Sequence, residues 1–314
     1  MRYWYRRAVF AVLLVFTVSS ASLLLARHAP GDYVTGEIGT SGSRIARDQA
    51  RARLGLDQSA GQQYRGWLLH ALRFDFGRSL LYDRPVVELV PERAANTALL
   101  AMAALFVATI IGIPLGTITG SRADGVLSGV IRVASVVLLS MPPLLTSLFL
   151  VFLAARTGWL PASGMRTIVG NAAGVADVLR HMVVPVLAMA LPLGALFERL
   201  QSQAMSDTVR QPFVHAARAR GIAEKRIIWR GALKASLFPL ASVYGLIVAS
   251  LLSGSFAVEV VTAWPGLGRL MLDALRARDI YLVAGCGVAG SIFLVVGTLL
   301  SDVMAAMVDP RSRQ

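Results

Sequence analysis

Lysine is almost missing from this chain: Lys225 and Lys234 are the only two in 314 residues. A phosphate-gripping P-loop needs a lysine behind its glycines, and here the preceding residues are Glu224 and Leu233. That excludes ATP hydrolysis by the P-loop route. Cysteine occurs once, at Cys286, so no intrachain disulfide exists. The four histidines, His28, His70, His181 and His215, are scattered along the chain and form no metal-ligand cluster. Charge is scarce as well, at 16% of residues, and what there is falls in clusters.

What fills the space is apolar. Hydrophobic residues make up 55% and the mean hydropathy is +0.62, beyond what a soluble core requires. Six runs contain no charged residue: 8–26, 94–121, 133–155, 181–197, 235–258 and 280–301. A bilayer-crossing helix needs about 20 mostly apolar residues, so each run is a candidate span. The expected fold is all-α and polytopic, with six transmembrane helices. Run 8–26 follows Arg2, Arg6 and Arg7 and has the look of a signal peptide. It is longer than a usual signal core and lacks a small-residue cleavage site, which makes it an uncleaved first span with a cytoplasmic N-terminus.

Six spans from that start place 27–93, 156–180 and 259–279 outside, and 122–132, 198–234 and the tail inside. Among the short connections, basic residues number 15 inside against 6 outside, in accord with the positive-inside rule. The net charge of +13 then serves topology and anionic headgroups of membrane lipid, and no nucleic-acid partner is expected. The expected organisation is 1–26, N-terminus and first span; 27–93, an outer cap; 94–307, the core of spans two to six with a connecting loop at 198–234; and 308–314, a cytoplasmic tail. In the cap, Arg44 to Leu54 has helical spacing and stops at Gly55, while Gln62 to Leu72 carries Trp67, Leu68, Leu69 and Leu72 as an apolar stripe. Pro114, Pro142, Pro143, Pro185 and Pro192 interrupt the spans, and small residues including Gly112 and Gly116 permit close helix packing.

The inner connection 198–234 is too long for a plain helix hairpin. Pro212 suits a first helical turn and Gly221 a helix end, so Phe213 to Arg220 is expected as a short helix of about 12 Å. Ala216, Ala217 and Ala219 give it a smooth surface, Phe213 an aromatic anchor, and Arg218 and Arg220 charge. An amphipathic stretch, Ile222 to Leu237, leads on into the fifth span. In the last outer loop, Pro265, Gly266 and Gly268 force a turn, followed by a stripe of Leu267, Leu270, Met271 and Leu275.

Phe213-Val214-His215-Ala216-Ala217-Arg218-Ala219-Arg220-Gly221, followed by Leu237-Phe238-Pro239, resembles the EAA loop of binding-protein-dependent ABC-importer permeases. His215 stands at the namesake glutamate, and Gly231 and Ala235 where peptide-type members often have His and Asn. Further motifs follow the order of the dipeptide, oligopeptide and nickel branch: Leu54-Gly55-Leu56-Asp57, Phe76-Gly77-Arg78-Ser79-Leu80, Arg84-Pro85-Val86-Val87, Leu160-Pro161-Ala162-Ser163-Gly164, Trp264-Pro265-Gly266-Leu267-Gly268 and Asp309-Pro310-Arg311. The resemblance implies a permease subunit that imports peptides or a similar small solute through the cell inner membrane, with no catalytic residues, metal or cofactor of its own. It implies that Phe213, His215, Ala216, Ala217, Arg218, Arg220 and Gly221 couple to an ATP-binding subunit, where ATP and Mg are bound. The implied partners are a homologous permease forming a heterodimer, two ATP-binding subunits and an external solute-binding protein. Two other classes fit parts of the sequence. An ion-coupled secondary transporter ordinarily carries ionisable groups within its spans, and these runs have none. An intramembrane hydrolase requires a dyad such as Ser253 with His181, where small residues ordinarily serve packing.

Overall fold

A computed structural model describes residues 2–28, 33–34, 48–49, 51–52, 57–122, 125–167 and 174–308. Of the helix expected from Arg44 to Leu54 only 48–49 and 51–52 are described, and these are helical; its other residues, the Leu54-Gly55-Leu56 part of one motif and the tail motif at Asp309 lie outside the described residues. Among those described there is no β-strand, only an isolated bridge between Arg78 and Pro85. The longer helices are α1 (Arg2–His28), α2 (Ala60–Ala71), α3 (Val86–Ser121), α4 (Val126–Ser140), α5 (Pro143–Thr157) and α6 (Val175–Val209). After them come α7 (Pro212–Ala219), α8 (Glu224–Arg226), the π-helix π1 (Ile227–Ala232), α9 (Leu233–Gly254), α10 (Phe256–Val261), α11 (Leu267–Ala277) and α12 (Ile280–Val308).

Four stretches, Tyr5–Ala26, Val86–Ser121, Val175–Val209 and Ile280–Leu300, are long and apolar enough to cross a membrane. The helices α4 and α5 make a fifth if taken together, but they are bent by 104° at their junction. The uncharged run 133–155 is therefore not the straight span its hydropathy suggests. Met141 leaves the helical region (ψ 116), and Pro142 and Pro143 restart the backbone with Pro143 in the first turn of α5. Gly158, left-handed at φ 67, ends α5.

The chain forms two compact units, Met1–Thr97 with Pro265–Val295, and Ala98–Trp264 with Val296–Gln314. In the first, Ser59 and Gln62 form a reciprocal capping box that starts α2. Of the stripe expected on α2, Trp67 is buried with Leu23 and Ala284 and Leu68 packs beside them, whereas Leu69 and Leu72 face outward. On α11, Leu267 and Leu270 are buried with Val86, Leu89 and Leu282, and Leu275 is exposed. Asp279 holds this unit's polar centre. Fully buried, its carboxylate accepts from Ser79 Oγ (2.7 Å), Leu81 N–H (3.1 Å) and Leu282 N–H (3.1 Å). Gly77, at φ +87 and with its would-be Cβ 3.3 Å from Tyr281, gives the Phe76–Leu80 segment its turn. Asp279→Ala leaves two buried donors without an acceptor and is expected to lower stability by about 2–3 kcal/mol. Thermal unfolding of the detergent-solubilised chain measures it; an unchanged midpoint contradicts the assignment.

In the second unit α6 is the central element. Gly112, Gly116 and Gly120 of α3 lie against its backbone at Gly194, Glu198 and Ser202, and a Cβ on each would stand 2.5, 2.5 and 2.3 Å from those carbonyl oxygens. Small residues four apart form a groove into which the neighbouring helix sinks. At the same crossing Thr119 donates to the buried Glu198 (2.5 Å), and Gln201 donates to Ser236 Oγ (2.8 Å) and Thr117 Oγ1 (3.3 Å). Farther along, Phe197 stacks on Tyr244 at 4.9 Å, and the Tyr244 hydroxyl meets Thr109 Oγ1 at 2.8 Å. Trp264 of the Trp-Pro-Gly motif is fully buried among Leu100, Phe197 and Ile247.

Candidate functional site

The connection 198–234 is mostly helix. Glu198 does not begin a loop, because α6 continues to Val209, so the linking segment starts at Arg210. Charge marks where a helix leaves the apolar layer, and hydrogen bonding along its axis continues regardless.

Pro212 then occupies the first turn of α7. The stop is a full Schellman closure: Gly221 N–H donates to Arg218 O (2.9 Å) and Ile222 N–H to Ala217 O (3.2 Å), with Gly221 at φ 72. Val214 is completely buried and pins the helix to the protein. Phe213, His215, Ala216, Arg218 and Arg220 are exposed, Gly221 lies exposed at the stop, and Ala217 is half-buried. The structure thus brings all seven coupling candidates together on one eight-residue helix and its cap. Phe213, Ala216 and Arg220 share an outward row, and Ala219 widens it with a second small side chain.

Two features escape sequence reading. Arg218 does not project free: its guanidinium donates to both Glu224 oxygens, Nε to Oε2 at 3.1 Å and Nη2 to Oε1 at 2.6 Å. This fork raises the Arg218 pKa and lowers that of Glu224, chiefly through the hydrogen bonds themselves. Since the Glu224 pKa is depressed, the fork holds above the ordinary carboxylate range and opens only as pH falls through that lowered value. The pair ties α7 to α8 across the Gly221 turn, a spacing outside the i, i+4 pattern that sequence inspection scans. The second feature is apolar: Ile222 and Trp229, on the segment that follows α7, are each 39% exposed.

A cavity of about 350 Å³ opens between α4 and α6, lined by Arg132, Ser135, Glu198, Arg199, Ser202 and Asp207 among others. No group of three metal-ligating side chains occurs among the described residues. His181 sits in α6 with Nδ1 2.9 Å from Asp177 O, while the side chain of Ser253 is not among those described.

Long apolar helices, a bent helix pair and an exposed alanine-rich helix braced against the end of the bundle define the class: a multi-pass helical membrane protein. Residues 112–314 match the family described as the binding-protein-dependent transport system inner membrane component, and the chain belongs to that family. It is 30% identical over 311 residues to the oligopeptide transport system permease protein AppB of Bacillus subtilis, covering 98% of each chain. It is 27% identical over 311 residues to the nickel import system permease protein NikB of Staphylococcus aureus, covering 98% of this chain and 90% of the relative. The likeness to permeases of ABC importers expected from the EAA-like stretch is thereby established, and the protein is a membrane-embedded permease component.

Proposed function

We propose that this chain is a six-span subunit of an ATP-driven importer, with α9 added to the five apolar segments as the remaining span and both termini in the cytoplasm. α9 begins next to Lys234, and residues 235–258 carry no charge. The observation that carries the reading is α7: a short helix with small exposed side chains, held by Val214, the Gly221 closure and the Arg218–Glu224 fork. Such a helix suits insertion into a cleft of a separate ATP-binding subunit. Phe213, His215, Ala216, Ala217, Arg218, Arg220 and Gly221 form the contact or its frame. Two such subunits supply the nucleotide chemistry, with ATP and Mg bound there, a related permease completes the solute path, and an external binding protein delivers the solute. Peptides are the solute class we assign, on the strength of the oligopeptide relative. Closure of the ATP-binding subunits pulls α7, and the fork passes the displacement into α8 and the helix that continues as α9.

A cysteine at Ala219, exposed on α7, tests this directly. Ala219→Cys in intact cells is expected to resist membrane-impermeant thiol reagents from outside and, in isolated membranes, to cross-link to a nucleotide-hydrolysing subunit. Labelling from the exterior, or absence of any such cross-link, overturns the assignment.

A further inference from the structure

The backbone from Glu224 into α9 never leaves helical dihedrals, since Ile227, Ala232 and Leu233 are right-handed at the joins. Along it Ile228, Ala232, Ser236 and Leu240 are buried, while Arg226, Arg230, Lys234 and Phe238 are exposed. Both rows advance by four residues, so one faces the protein and the other faces away from it. Lys225 and Trp229, also exposed, run beside the outward row.

Like charges four apart on a helix repel one another. Among the described residues, no ion pair joins Lys225, Arg226, Arg230 or Lys234 to a carboxylate, and Glu224, the one acidic residue between 210 and 234, is held by Arg218. Within the described residues no carboxylate answers the row, and its exposed charges are open to an anion from outside the chain. Its depth follows from the residues that come after it. Beyond Lys234 no charge follows until Glu259, and Phe238, 53% exposed, continues the same row into that uncharged stretch. Cations thus give way to an aromatic and then to apolar side chains, the profile of a membrane interface crossed from headgroup to acyl layer.

We propose that Lys225, Arg226, Arg230 and Lys234 form a binding site for the phosphate of anionic phospholipid headgroups, with Trp229 in the interfacial layer beside them. A water-soluble acidic protein does not account for the row, because Phe238 and the exposed Pro239 extend it into the span. The site goes beyond the permease reading and rests on it only in taking α9 as a span.

Brominated lipids test it in the assembled transporter, reconstituted into nanodiscs of phosphatidylcholine with a fixed share of brominated phosphatidylglycerol or brominated phosphatidylcholine. A parallel Trp229→Phe sample subtracts the other tryptophans. Brominated phosphatidylglycerol is expected to quench Trp229 more strongly at equal mole fraction, with the preference weakening in salt. Neutralising the row one position at a time (K225Q, R226Q, R230Q, K234Q) is expected to reduce the preference about fivefold per charge. Glutamine keeps the helix propensity of the positions, and circular dichroism verifies the helix content of each variant. Equal quenching by the two lipids overturns the site, and so does a preference that survives all four exchanges. Quenching seen in the isolated chain and lost in the complex also overturns it, since a protein subunit then covers the row. Both leaflets carry the probe lipid, so a chain inserted the other way round keeps the preference while failing the Ala219→Cys cross-link.

Discussion

Gly116→Leu is expected to unfold the second unit or prevent its assembly in the membrane. A β-carbon at this position stands 2.5 Å from Glu198 O and 2.6 Å from Gln201 Cβ, so backbone as well as side chain must retreat. Over-packing a core with flexible neighbours costs about 1–3 kcal/mol; here the obstacle is a helix axis, and moving it stretches the Thr119–Glu198 bond and the Gln201 contacts beside it. A loss at or above that range is expected, seen as a lowered unfolding midpoint or an aggregated elution profile in detergent. Gly129→Leu is the control, because nothing lies within 4 Å of its would-be Cβ on α4. Equal behaviour of the two variants shows that α3 and α6 do not touch as described.

Ala216→Trp acts in the opposite way, leaving the fold and removing transport. Its side chain is exposed, between Phe213 and Arg220 on α7, so the indole meets solvent in the isolated chain. At the centre of a docked helix the same indole holds the cleft open. Losses at such central positions commonly reach about 2 kcal/mol, roughly thirtyfold in affinity. Uptake by cells is expected to fall to background while the amount of chain in the membrane and its unfolding midpoint stay unchanged. Normal uptake, or normal substrate-stimulated ATPase in the purified complex, removes α7 from the coupling path.

The sequence pattern reads depth well and direction poorly. Charge-free runs located the apolar helices because each charged side chain is costly in hydrocarbon. They could not show that α3 starts at Val86, before its run begins at 94, or that α6 persists to Val209 after its run ends at 197. Axial hydrogen bonds are indifferent to solvent, so helix ends and membrane edges are separate quantities. The bend after Ser140 was foreshadowed by Pro142 and Pro143, but hydropathy carries no angle, and 104° emerges only from the backbone. At the site, Pro212 and Gly221 bounded α7 correctly because proline fixes φ in the helical range and glycine enters the left-handed region at no steric cost. The partner of Arg218 stayed hidden because Glu224 reaches it across a left-handed turn, where sequence distance ceases to measure spatial distance. Gly112, Gly116 and Gly120 stood at groove spacing in the sequence, yet only the contacts with Gly194, Glu198 and Ser202 reveal which neighbour they admit.

The wide turn at Ile227–Ala232 gives the connection a tolerance for changes of length. In a regular helix, losing a single residue swings everything downstream through about 100°. A π turn holds one residue of slack, and a one-residue deletion there can be absorbed by tightening into ordinary pitch. Homologous chains are thus free to differ by one position between Glu224 and Leu233 and still present the same side of the following span to their neighbours.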